Sequence, residues 1–398
     1  MSLLEDQFWF SAALALVIFG AMMTAVAYCI YFERKISAWM QDRKGPNRVG
    51  PLGLLQPLAD GGKFLLKEDI IPANVDKPLF VLAPAIAFGL GMIGFVVLPW
   101  GGRVDVDGDG AVDVIAQVAD PGIGLLYLLG IGGLAVYAVV LGGWANNNKY
   151  AFFAAMRSTA QMLSYEIPMG LAILVIVLMT GSLRLEAIVL SQLGGGNVWN
   201  IVHHPLAFLI LLTTLFAETN RTPFDLAEAE QELIGGYHTE YSALKFGLFF
   251  LGEYAHMITG SGLIVVMFLG GWHLPWVPGL RPEDVSIGAM VLKMSVLGLK
   301  IAAFLFLFMW VRWTLPRFRF DQLMRLSWKG MLPVALALVC YTTWLVYVGR
   351  ATDIRWTLGG NAVLMAVVLV ISGVLGSPIT GRQAHMPAVR MFASRPAR

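Results

Sequence analysis

The sequence has little of what builds a redox centre or a nucleotide site. Only two of its 398 residues are cysteine, Cys29 and Cys340, and both lie inside apolar runs. That excludes a disulfide framework and a cysteine-ligated metal. There is no CxxC, no HExxH, no Walker phosphate loop and no glycine-rich dinucleotide turn after a strand. No cofactor bound by this chain is expected. Charge is also scarce, at 14% of residues, where an ordinary soluble domain carries about 25%. With 57% hydrophobic residues and repeated apolar runs, the chain falls in the membrane class. The N-terminus lacks a basic region followed by a cleavage site, so the first apolar run reads as a retained span.

A transmembrane helix needs about 20 apolar residues. Nine segments qualify: 8–31, 78–99, 122–142, 164–183, 198–217, 244–271, 287–311, 331–349 and 357–376. The fold class expected is all-α and polytopic. His203, His204 and Pro205 interrupt the fifth segment, and Gly359, Gly360 and Asn361 sit at the start of the ninth. Lysines and arginines between the spans divide 20 to five, the five being Arg103, Arg184, Arg281, Arg350 and Arg355. Positive charge marks the cytoplasmic side, which puts the N-terminus outside. The tail with Arg382, Arg390, Arg395 and Arg398 then lies inside, as a ninth span requires. Residues 1–350 read as a core of eight spans, and 351–398 as the ninth span and a basic tail.

The concentration of acid stands out against this background. The inner loop 217–243 opens with AETNRTPFDLAEAEQE, which holds Glu218, Asp225, Glu228, Glu230 and Glu232 with Arg221 as its one cation. On a helix Glu228 and Glu232 share a face and Glu230 points elsewhere. Crowding and burial both disfavour joint ionisation of such groups, so they suit proton exchange or the sensing of nearby charge. Within the spans lie Glu166, Glu253, Lys293 and Lys300. An ionised group at a span centre costs at least about 2.5–3.5 kcal/mol, and it usually faces protein or a water-filled cavity. Static pairing, for example of Glu253 with Lys300, is the simpler alternative. The histidines show no ligand spacing.

Two further segments carry patterns. Between Leu52 and Lys67 apolar residues recur at helical spacing, so 52–68 reads as an amphipathic helix in the membrane interface. It is either an anchor or the floor of an entrance for a lipid-like substrate. In the outer loop, Asp105, Asp107, Asp109, Gly110 and Asp113 occupy positions 1, 3, 5, 6 and 9 of a calcium loop. Position 12 is Ala116, not glutamate. The segment reads as a solvated acidic turn, with calcium as the minor alternative.

Several long stretches resemble one family, in its order. They are ERK at Glu33–Lys35, RKGPNRVGPLGLLQPLAD at Arg43–Asp60, GWANNNKYAFFAAMRSTAQMLSYE at Gly143–Glu166, AETNRTPFDLAEAEQELIGGYHTEYS at Ala217–Ser242, FGLFFLGEYAHMI at Phe246–Ile258 and VRWTLPRFRFDQLMRLSWK at Val311–Lys329. The chain resembles the H-type membrane subunits of respiratory complex I, the proton-translocating NADH–quinone oxidoreductase, a family whose mitochondrial counterpart is subunit 1. The resemblance implies a place in the bacterial cytoplasmic membrane, at the joint between the peripheral and membrane arms. Quinone, ubiquinone or menaquinone, would be the substrate; NADH, FMN and iron–sulfur clusters would belong to partner subunits. Carried over by motif, Glu33, Arg34, Arg43, Asp60, Arg221 and Asp225 would line or support the quinone entrance and chamber. Glu166, Glu218, Glu228, Glu230, Glu232, Glu240 and Glu253 would form the acidic path toward antiporter-like subunits, and Lys300, as a charge inside the seventh span, is placed on that path too. The ninth span and the long acidic outer loop depart from the family pattern. Three other readings compete: the equivalent subunit of a membrane-bound hydrogenase or other donor dehydrogenase, an independent secondary transporter, and a structural anchor. No internal repeat of the kind common in transporters is evident.

Overall fold

Helices dominate the computed structural model, which describes residues 2–105, 112–193, 198–225, 235–274, 277 and 280–374, with side chains described from 7 to 370. They are α1 (Ser2–Met40), α2 (Gln56–Leu66), α3 (Lys77–Ile93), α4 (Gly124–Ala145), α5 (Lys149–Thr180), α6 (Leu185–Ser191), α7 (Asn200–His203), α8 (Pro205–Glu218), α9 (Ala243–Phe268), α10 (Ile287–Thr314), α11 (Phe320–Arg325), α12 (Leu332–Tyr347) and α13 (Ile354–Val374). Among the described residues the only sheet is a two-stranded antiparallel ribbon, Arg103–Val104 (β1) against Val114–Ile115 (β2). Seven helical stretches are long and apolar enough to cross a membrane; α8 and the described part of α13 are apolar but shorter. In lipid every backbone polar group must find its partner within the protein, and helices do this within one segment. The protein is an all-α polytopic membrane protein.

The helix boundaries differ from the hydropathy reading where polar residues lie inside. α5 begins at Lys149, about four turns before the apolar run at 164, with Asn148 capping it by accepting from the Tyr150 amide at 3.0 Å. Its early polar residues are internal: Ser158 and Gln161 are fully buried, and Ser164 nearly so. The fifth apolar run is not one helix. It breaks at His204–Pro205 into α7 and α8, because proline at the second helix's start lacks the N–H that would continue the first. The amphipathic helix expected over 52–68 is shorter and occupies 56–66, after a tight turn at Pro51–Gly53. It exposes Leu58, Leu65 and Leu66, while Phe64 faces Gly247 of α9. α11 and α12 join through a wider turn at Leu326–Met331 to make one stretch, Phe320–Tyr347.

α9 is the axis of the bundle. In its most apolar window 78% of residues are buried, against 28% for α1. It packs most extensively against α3, where a Cβ on Gly252 would lie 2.8 Å from the Ala87 carbonyl. Small residues let membrane helices approach this closely when no hydrophobic effect drives them together. The ninth apolar helix, α13, is fastened at the α7–α8 break. Thr357 meets the His203 ring at 3.1 Å, and Asn361 donates to the His203 carbonyl and sits 3.2 Å from His204 Nδ1. All four side chains are buried.

Candidate functional site

A turn after α8 positions the central cation. Asn220 takes a left-handed conformation, φ 49°, which asparagine tolerates better than most residues. Gln161 of α5 clamps the turn, donating to the Ala217 and Phe224 carbonyls at 2.8 and 2.7 Å. Ser158 adds a bond to Asn220 Oδ1 at 3.1 Å. The chain reversal aims Arg221 into the bundle, where its side chain is only 8% exposed.

Four elements meet there. Glu33 of α1 accepts from Arg221 Nη1 at 3.2 Å on both oxygens, from the Tyr254 hydroxyl at 2.5 Å, and from Arg312 at the end of α10. Arg221 Nε lies 2.7 Å from Glu253 of α9, and its guanidinium stacks over the Tyr254 ring at 4.4 Å. Two carboxylates and two guanidinium groups make the hub neutral when all are ionised, the condition under which buried charge is tolerable. Arg317 extends the cluster, donating to Asp225 at 2.6 Å.

Beyond Glu253 lies a cavity of about 50 Å³, lined by Glu253, Glu218, His256, Asn220, Tyr237 and Met162, among others. A second cavity of about 50 Å³ shares Glu218, Thr219 and His256 with it and continues past Thr259. A water needs roughly 10–15 Å³ by this measure, so each holds a few waters. On α4, Gly132 and Gly133 make room for two carboxylates: a Cβ there would lie 2.7 Å from Glu218 Oε1 and 2.8 Å from Glu166 Oε1.

Where α1 meets α2, Arg34 pairs with Asp60 of α2 at 2.6 Å. Tyr31 and Lys35 hold the turn before α2 through the Leu52 and Pro46 carbonyls, at 2.8 and 2.9 Å.

Residues 13–343 match the family model described as NADH dehydrogenase. The H-type subunit of the Leptospira biflexa NADH-quinone oxidoreductase is 48% identical over 338 residues, covering 82% of this chain and 92% of that protein. An H-type subunit of the Geobacter metallireducens enzyme is 49% identical over 330 residues, covering 83% and 94%. One from Cytophaga hutchinsonii is 47% identical over 325 residues, covering 82% and 93%. The chain belongs to the family of H-type subunits of NADH-quinone oxidoreductase. It is a membrane subunit of that enzyme complex, and α13 lies beyond the matched region.

The remaining residues singled out in the sequence fall in several places. Arg43 is exposed in the turn after α1, its amide bonded to the Ala38 carbonyl at 2.8 Å. Glu240 accepts from Asn148 at 2.9 Å, beside the start of α5. Lys300 does not meet Glu253. It caps the end of α9, donating to the Leu269, Gly271 and His273 carbonyls at 2.7, 2.8 and 2.7 Å. Those groups begin 16 residues after Glu253, about 24 Å along a helix at 1.5 Å per residue. Glu253 pairs with Arg221 instead. Glu228, Glu230 and Glu232, like Asp107 and Asp109, lie outside the described residues. Asp105 is buried, its amide bonded to the Val285 carbonyl at 2.7 Å, and the Asp113 amide bonds Val104 at 3.1 Å. No group of three candidate metal ligands occurs among the described residues.

Sequence reasoning passed over Arg312, Tyr254, Gln161, His256 and the Gly132–Gly133 pair. Arg312 was legible only as one more positive charge on the inner side. The motif FLGEYAHMI did contain Tyr254 and His256, one and three positions after Glu253.

Proposed function

We propose that this protein forms the entrance and inner part of a quinone chamber and the first section of an acidic path coupling quinone reduction to proton translocation. The observation that carries the reading is the continuity from the Glu33–Arg221–Glu253 hub into the cavity that Glu253 shares with Glu218. Quinone enters over α2, whose exposed leucines suit the acyl boundary, and passes the Arg34–Asp60 pair. Arg43 and Asp225 support the same entrance. A partner's iron–sulfur cluster reduces it; NADH and FMN belong to the peripheral-arm partners. Reduction adds negative charge and a demand for protons beside Arg221. That charge biases the hub, because Arg221 serves two carboxylates from one guanidinium. The 217–243 loop, with Glu228, Glu230, Glu232 and Glu240, responds, and protons or their electrostatic effect pass by Glu218 and Glu166 toward antiporter-like membrane subunits. The chain sits in the bacterial cytoplasmic membrane with its N-terminus outside and the hub toward the cytoplasm.

The test is Glu228→Gln and Glu232→Gln in the assembled complex. Each is expected to lower quinone reduction and proton pumping together, within the 10²–10⁴-fold range associated with a lost proton-transfer group. Full pumping in both variants rejects the acidic path.

A further inference from the structure

The two cavities follow one stripe of α9. Gly252, Glu253 and His256 line the first; His256, Thr259, Gly260 and Leu263 line the second. Residues three and four apart on a helix share a face, so the cavities are consecutive along that face and His256 stands at their junction. Both also abut α4, through Ala135, Ala138 and Val139 in the first and Gly132 in the second. The stripe from Glu253 to Gly260 rises about 10 Å at 1.5 Å per residue.

His256 Nε2 is buried and has no hydrogen-bonding partner among the described residues. Leaving a buried polar atom without a partner is costly, so such atoms in polar cavities are normally met by water. The surroundings offer a water several contacts. Thr219 and Thr259 spend their hydroxyl protons on helix carbonyls, Leu215 at 2.9 Å and Ala255 at 2.9 Å. Their oxygens remain able to accept. With the Glu218 carboxyl and the His256 nitrogen, that supplies the two to four polar partners a buried water requires.

We propose that His256 is a positioning residue that holds water at the junction of the two cavities, ordering the water between Glu253 and Glu218 in the cavity they share and joining it to the space beyond. This rests on the acidic path proposed above and assigns it a bridging group that is not a carboxylate. A proton released by one carboxyl is taken up by the adjacent water, which gives one of its own protons to the next, until the second carboxylate receives one. The ring orients that file and ends the transfer with the protons it began with.

The test uses the assembled complex in membrane vesicles, with NADH and a short-chain ubiquinone, and ferricyanide as an acceptor that bypasses the quinone. His256→Leu is expected to lower quinone turnover and proton pumping by about tenfold or more, short of the largest losses for a direct proton-transfer group, while ferricyanide reduction is unchanged. His256→Gln, which keeps a hydrogen-bonding end, is expected to restore most of the turnover and the solvent isotope effect of the natural protein. Equal turnover and pumping in the leucine variant overturns the bridge. If Glu218→Gln and Glu253→Gln are impaired in that case, the acidic path stands without His256; if they too are unaffected, the path itself has failed. Should the leucine variant not assemble, a map of the unsubstituted complex resolving individual waters decides. Water within hydrogen-bonding reach of His256 Nε2 and continuous with both cavities supports the bridge, and a dry junction overturns it.

Discussion

Replacing Glu33 by glutamine removes one charge from a hub whose four ionised groups cancel. Arg221 and Arg312 then face Glu253 with a net surplus of one positive charge. Glu33 holds three partners: Arg221 on both oxygens at 3.2 Å, Tyr254 at 2.5 Å, and Arg312. A hydrogen bond to a charged group contributes about 1.5–3 kcal/mol, but the amide oxygen of glutamine keeps part of this. Breaking a buried pair by removing one partner costs about 3–5 kcal/mol, and Glu33 and Arg221 are both at most 10% exposed. Arg312 is 36% exposed, so its contact is screened and contributes least. If half the cost falls on the barrier to unfolding, thermal inactivation of the assembled complex accelerates by roughly 10- to 60-fold, at about 1.4 kcal/mol per decade. The double variant Glu33→Gln/Arg312→Gln restores neutrality, and its inactivation is expected to be slower than the two single effects combined, by more than about 0.5 kcal/mol. Inactivation of Glu33→Gln within threefold of the natural protein would refute the reasoning.

Gly133→Ala places a methyl group 2.8 Å from Glu166 Oε1, whereas a Cβ at Gly130 meets nothing within 4 Å. Quinone turnover should fall in Gly133→Ala and hold in Gly130→Ala; equal activities would contradict the placement of Glu166. Asn361→Leu removes the Asn361 contacts with His203 and His204 that help fasten α13, leaving only the Thr357–His203 contact there, and should speed thermal inactivation at a cost of about 1–3 kcal/mol while initial turnover is unchanged. In α6, burial pushes the Glu186 carboxyl above its ordinary 4.5, against the opposing effect of Arg103. The folded protein thus binds that proton more tightly than the unfolded chain. This contribution to stability is complete below about pH 4.5 and declines as pH rises through the raised value. Glu186→Gln should flatten that decline in a series of inactivation rates across pH; an unchanged slope would count against the assignment.

Hydropathy located the spans because lipid demands long apolar helices, and it erred where the protein supplies its own polar interior. α5 begins before its apolar run because Ser158, Gln161 and Ser164 find partners inside the bundle. The α7–α8 break was visible as His203-His204-Pro205, but its consequence, a polar seat for α13, depends on residues more than 150 positions away. The site followed the same division. Charge in an apolar context singled out Glu253 and Arg221, and family resemblance added Glu33. Their pairing was not legible, because Glu33 and Arg221 are 188 positions apart. Lys300 was a natural partner for Glu253 by composition, yet helix geometry sets it about 24 Å further along α9. His256 carried no ligand spacing, and its role depends on cavities that exist only once α4 and α9 pack.

The most direct test of the acidic path is Glu218→Gln in membrane vesicles, with NADH:quinone turnover and proton uptake recorded on the same preparation. Glu218 lines both cavities and faces Gly132 on α4, so a route through both cavities passes beside it. Turnover and pumping are expected to fall together by about a hundredfold or more, as for a lost proton-transfer group, with ferricyanide reduction intact. Full turnover with full pumping in a correctly assembled Glu218→Gln complex would contradict the path.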